Sequence, residues 1–121
     1  MKIEELFIGA IVRYLVTNYP VCGINEQDQV LIGGSWIHYS NIEPVPITPE
    51  ILLMLEGENG ERFELNRHRF FIKNNSVRLV MDNVVRYWHS HYVQNMPITH
   101  THELQTRVRL DAGIVLNLKQ K

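Results

Sequence analysis

Residues 11–47, IVRYLVTNYPVCGINEQDQVLIGGSWIHYSNIEPVPI, decide the fold. Ile11 to Thr17 is β-branched and aromatic, the composition of a pleated, half-buried surface, and predicts a first strand. Asn18-Tyr19-Pro20 carries turn chemistry. Tyr19 to Ile24 predicts a second strand, with Gly23 as a candidate bulge. Asn25-Glu26-Gln27-Asp28 is a polar tip. Gln29 to Ile32 and Ser35 to Tyr39 flank Gly33-Gly34, a strong two-residue hairpin signal because glycine accepts the positive φ such turns require. Asn41-Ile42-Glu43 is a short turn before a last edge strand. Four short strands in so little chain imply a small, strongly bent sheet, for which an SH3-like small β-barrel over residues 1–47 is the economical solution.

Outward from this stretch, Pro44, Pro46 and Pro49 each lack a backbone donor and mark an edge or connector. Thr48-Pro49-Glu50 is a helix start, with Thr48 as N-cap and Pro49 in the first turn, and a helix from Pro49 to Leu55 is predicted. Phe63 to Leu65, His68 to Lys73, Val77 to Met81 and Val84 to Val93 are strand-like and separated by polar turns, so an antiparallel β-meander is expected. Alternation puts Phe70 and Ile72 on one face, with Val77, Leu79 and Met81 as their partners. Gln94 to Pro97 reads as a loop. A C-terminal helix, about His100 to Ala112, has Glu103 in its first turn and Gly113 as a left-handed cap, and Ile114 to Leu118 is a last strand. The expected class is strand-rich α+β: a barrel subregion, then a helix, meander and C-terminal helix over 48–121, within one domain spanning 1–121.

The chain has 121 residues and a net charge of −1, but residues 1–60 carry −6 and residues 61–121 carry +5. Seven of the later cations are arginines, and arginine suits planar recognition of phosphate or carboxylate. The two halves either face each other or leave a cationic surface for an anionic partner. An overall pI of about 6.6 argues against a strong, non-specific duplex binder. The single cysteine, Cys22, cannot form an internal disulfide and reads as a buried structural thiol. The N-terminus lacks a signal-peptide pattern, and no apolar run approaches a membrane span, so a cytoplasmic protein with no membrane partner is expected.

Three stretches carry a resemblance. Leu6-Phe7-Ile8-Gly9, then Trp36 with Ile42-Glu43-Pro44-Val45-Pro46-Ile47-Thr48, then His102-Glu103-Leu104-Gln105 through Gly113 resemble segments of short proteins from Bacteroidales prophages and mobile elements. Arg107, Val108 and Arg109 depart from the leucine and aromatics of that group's last helix. The resemblance implies an accessory protein of a phage or mobile element and carries no activity.

Four groups of residues are candidates for function. Arg67, Arg69, Arg78, Arg86, Tyr87 and Trp88 lie on neighbouring strand patterns, and arginine with aromatics on a sheet is a platform for single-stranded nucleic acid or nucleotides. Tyr87 and Trp88 are adjacent and face opposite ways. Arg107 and Arg109 mark the last helix as a charged binding face. His89 and His91, if on one strand, share a face and, with His102 or His100 arriving from the helix start, form a candidate zinc set of a metal-dependent hydrolase; Asp82 or Glu103 would supply a carboxylate. Tyr14, Tyr19, Trp36 and Tyr39 either line a peptide groove or pack in the core. No nucleophile-elbow, phosphate-loop or dinucleotide motif is present. The leading expectation is a non-enzymatic protein that binds a host protein or its own copies. Binding of nucleic acid or a phosphorylated small molecule by the basic half is the alternative.

Overall fold

The computed structural model describes residues 2–67, 69–73, 77–82, 84–89 and 92–119, with the backbone alone at 92–96. Strand β1 (Ile11–Tyr14) returns as β2 (Thr17–Pro20), and Tyr14 pairs with Thr17. The turn is therefore Leu15-Val16, and Asn18-Tyr19-Pro20, expected to be a turn, is strand. Leu15 takes φ 57°, a left-handed conformation that leucine adopts at a cost, so composition could not announce it. After Pro20 the chain changes sheets: the Val21 N–H bonds Ala10 O at 2.8 Å, and the Cys22 N–H bonds Leu31 O at 2.8 Å. Strands β3 (Gly23–Ile24), β4 (Gln29–Ile32) and β5 (Ser35–His38) form a second sheet, with Gly33 and Gly34 at φ 55° and 81° in the expected hairpin. A 3-10 turn at Tyr39–Asn41 leads to β6 (Glu43–Pro44), which pairs with β1.

The ladders are two separate three-stranded sheets, β2-β1-β6 and β3-β4-β5, and among the described residues they do not close into the expected barrel. Pro20 has no N–H to continue its ladder, and the crossing at Val21-Cys22 moves the chain to the other sheet. Leu6, Ala10, Val12, Val21, Val30, Ile32 and Ile42 form a core, with Tyr14, Tyr19 and Tyr39 packed partly buried against it. Val21 points into that core, so its neighbour Cys22 points out. The thiol is exposed, a correction to its reading as a buried residue.

Helix α1 (Pro49–Leu53) starts as the sequence indicates, with the Ile51 N–H donating to Thr48 Oγ1 at 3.2 Å. It ends two residues early, because Leu55 opens β7 (Leu55–Gly57). Strands β8 (Phe63–Asn66), β9 (Arg69–Ile72), β10 (Val77–Met81), β11 (Val85–His89) and β12 (Tyr92–Pro97) follow as an antiparallel sheet in chain order. The expected strand from Val84 to Val93 is thus two strands, with His89 paired to Tyr92, and Gln94 to Pro97 is strand rather than loop. Helix α2 (Thr101–Ala112) ends on Gly113 at φ 68°, and β13 (Leu116–Leu118) pairs with β7.

The meander's inner face, α1, α2 and β13 enclose a larger core that includes Leu52, Leu55, Phe70, Leu79, Tyr87, Leu104, Val108 and Leu116. Each fully buried aliphatic side chain there contributes about 1.5–3 kcal/mol. Strand β1 stands between the two cores: Ile11 belongs to the larger and Val12 to the smaller. Gln105 of α2, 3% exposed, bonds to the backbone of Gly9, Ile11 and Leu116 and fastens this junction. No helix among the described residues is long and apolar enough to cross a membrane.

Candidate nucleic-acid interface

Directly paired residues of antiparallel strands share a face, so the register of the meander assigns its outer surface row by row. One row is Glu64, Phe71, Arg78 and Trp88, on β8, β9, β10 and β11. The next is Asn66, Arg69, Val80, Arg86 and Pro97. The intervening residues Phe70, Ile72, Val77, Leu79 and Tyr87 are buried below. Arg69, Arg78 and Arg86 are exposed, while Phe71, Val80 and Trp88 are half-buried. The face is therefore apolar at its base, with guanidinium groups standing above it.

Arg78 lies over the Phe71 ring, its guanidinium carbon 6.0 Å from the ring centre, within the range of a cation–π contact. Arg67, at the β8–β9 turn with φ 59°, joins Arg69 and Arg78 around a concavity of about 760 Å³, lined also by Asn66, Phe71 and Asp82. Glu64 and Asp82 are the carboxylates beside the face. Among the described residues, arginine pairs with a carboxylate only at Arg62–Glu56 and Arg107–Asp111, both 3.1 Å. Arg67, Arg69, Arg78 and Arg86 have no such partner among the described residues, and all four are exposed.

The structure brings together five of the seven expected binding residues: Arg67, Arg69, Arg78, Arg86 and Trp88. It separates the other two. Arg107 is bound to Asp111, whose carboxylate also accepts the Tyr87 hydroxyl at 3.0 Å. Burial, then the hydrogen bond to Asp111 and its charge, raise the Tyr87 pKa well above its ordinary value. Arg109 lies over Phe7, 5.6 Å from the ring centre, on the far side of α2. Phe71 is a member of the face that the sequence reading did not single out. The signal was present, since Phe71 is two residues from Arg69 on one strand and alternation sets it on the face opposite to Phe70 and Ile72.

Among the described residues, the histidines do not gather with other ligands as a metal site would. His89 ends β11 opposite Val77, and His91 lies outside the described residues. His102, on α2, is 2% exposed, with its Nε2–H donating to Glu5 Oε2 at 3.3 Å and its Nδ1 buried without a partner. That hydrogen bond is the largest cause holding the Glu5 carboxyl below its ordinary value. His100 caps α2 and sits 2.9 Å from Glu103 Oε1, and its ring stacks on that of His102 with centres 6.0 Å apart. Among the described residues no three His, Cys, Asp or Glu side chains gather as a metal site requires.

On the first sheets, Trp36 is 46% exposed and packs over Gly23 and Leu31, whereas Tyr14, Tyr19 and Tyr39 turn toward the smaller core. Fold and site together define a strand-rich α+β protein with an arginine–aromatic sheet face. Comparison with known protein families, curated proteins and solved structures finds no match.

Proposed function

We propose that this protein binds single-stranded nucleic acid, without catalysis, on the outer face of the five-stranded meander. One observation carries the reading: Arg69, Arg78 and Arg86 share a solvent-facing surface with Phe71 and Trp88, and among the described residues none of the three is paired with a carboxylate. Phosphates meet the guanidinium groups, and unpaired bases stack on the rings. A sheet face with recessed aromatics suits splayed bases, whereas the bases of a duplex are already stacked on one another. Exposed cations alone would fit many anions; the two aromatics in register with them favour a ligand that has both phosphate and π-faces.

The two N-terminal sheets, with the 3-10 turn before β6, are read as an open relative of the SH3-like barrel that supports the meander through β1 and Gln105. The resemblance to mobile-element proteins fits an accessory role for such a binder in a phage or mobile element.

The test is fluorescence anisotropy with labelled single-stranded DNA and RNA at low salt. Binding that weakens at least tenfold in Arg78→Ala and in Arg86→Ala supports the reading. Unchanged binding in both variants, or binding only to a protein partner or to a second copy of the chain, contradicts it.

A further inference from the structure

Resting on the nucleic-acid reading, we infer that the bound strand runs across the β-strands rather than along them, with one base on Phe71, one on Trp88, and Arg78 turned from its place over the Phe71 ring to hold phosphate between them. The two rings occupy the same row of the sheet, on β9 and β11, with Arg78 of β10 directly between them. Neighbouring strands are about 4.8 Å apart, so the two stacking positions are about 10 Å apart across the sheet. A nucleic-acid chain running along β9 would meet Phe71 and Arg69 only. A chain along β11 would meet Trp88 and Arg86 only. Only a path across the strands meets both rings.

The second row repeats the spacing with the chemistry exchanged. Arg69 and Arg86 flank Val80, one row from the two rings. On a transverse path, cations therefore lie beside each stacked base as well as between them, while Val80 offers a dry apolar base under the ligand. The concavity bounded by Arg67, Arg69, Arg78 and Asp82 opens on the Phe71 side, where the chain continues past the first stacked base. The site is short: two stacked bases, with phosphates on Arg69, Arg78 and Arg86. Neutralising about three phosphates of a single strand gives a slope of about −2 in log K against log salt.

The experiment measures affinity for oligothymidylates and oligouridylates from dimer to dodecamer, with wild type, Phe71→Leu and Trp88→Leu. Leucine keeps apolar bulk on the sheet and removes the π-face, and thermal unfolding verifies that each variant is folded. A transverse path predicts that affinity reaches nearly its full value by the tetramer. It also predicts that each leucine variant weakens the tetramer about tenfold, and that 5-iodouracil at adjacent positions cross-links to Phe71 and to Trp88. The thymidylate and uridylate arms tell whether DNA or RNA is preferred. If the dodecamer binds but one leucine variant is silent, or affinity grows steadily to the dodecamer, the transverse path is wrong while the nucleic-acid reading stands. If no oligonucleotide binds wild type at low salt, both fall.

Discussion

Gln105 Oε1 accepts a 2.9 Å hydrogen bond from the backbone N–H of Ile11, 94 residues earlier in the chain. The same side-chain amide donates through Nε2 to Gly9 O and Leu116 O, each at 2.9 Å. One buried residue thus closes the seam between the smaller and larger cores, and the amide is the only side chain of its size with both a donor pair and an acceptor.

Replacing Gln105 by Leu leaves the Ile11 N–H and two carbonyls without their partner. Each buried group stranded in this way costs about 1–3 kcal/mol, so a loss of about 3 kcal/mol or more is expected in urea unfolding. Gln105→Glu keeps the acceptor for Ile11 but sets a carboxylate against two carbonyl oxygens. It should be destabilised near neutral pH and recover part of the loss on acidification, when its carboxyl gains a proton to donate.

Tyr87 gives a pH prediction at the alkaline end. Its raised pKa means that the native state keeps the phenolic proton after the unfolded chain has released it. The contribution is therefore complete below about pH 10 and declines as pH rises above that value, by at most about 1.4 kcal/mol per pH unit. Tyr87→Phe loses the hydrogen bond to Asp111, about 1 kcal/mol at neutral pH, and should show a shallower alkaline decline than wild type. Chemical denaturation at several pH values above 9 compares the two.

The Leu15-Val16 turn stores local strain. Leu15 has φ 57° and is 77% exposed, so its side chain gains little from packing. Leaving the left-handed penalty recovers about 1–2 kcal/mol, and glycine's extra freedom in the unfolded chain takes back about 0.5–1 kcal/mol. Leu15→Gly should raise the melting temperature slightly. A lower melting temperature would show that the exposed leucine is held by a contact worth more than the strain.

Where local chemistry matched local structure, the sequence was readable. Gly33-Gly34 bends as a hairpin, Thr48 caps α1, Gly113 ends α2, and alternation separated Phe70 and Ile72 from the outer face. The failures lie where distant partners decide. Leu55 reads as a helical residue until β13 arrives to pair with β7. Gln94 to Pro97 reads as a loop until β11 supplies its ladder. The Leu15-Val16 turn has no turn residue to announce it, and Gln105 looks like a surface glutamine until its three backbone partners converge. Of the candidate site, the arginines and Trp88 were legible individually; their common face, and the departure of Arg107 and Arg109 from it, required the strand register.

The central claim is that the outer meander face binds single-stranded nucleic acid through phosphate and base together. Its most direct measurement is Kd for a labelled single strand between about 50 and about 200 mM salt, on wild type and on Arg78→Ala. The account predicts linear log–log weakening with a slope of about −2, shallower by about 0.7 in Arg78→Ala. A slope near zero, or one that Arg78→Ala leaves unchanged, would contradict it.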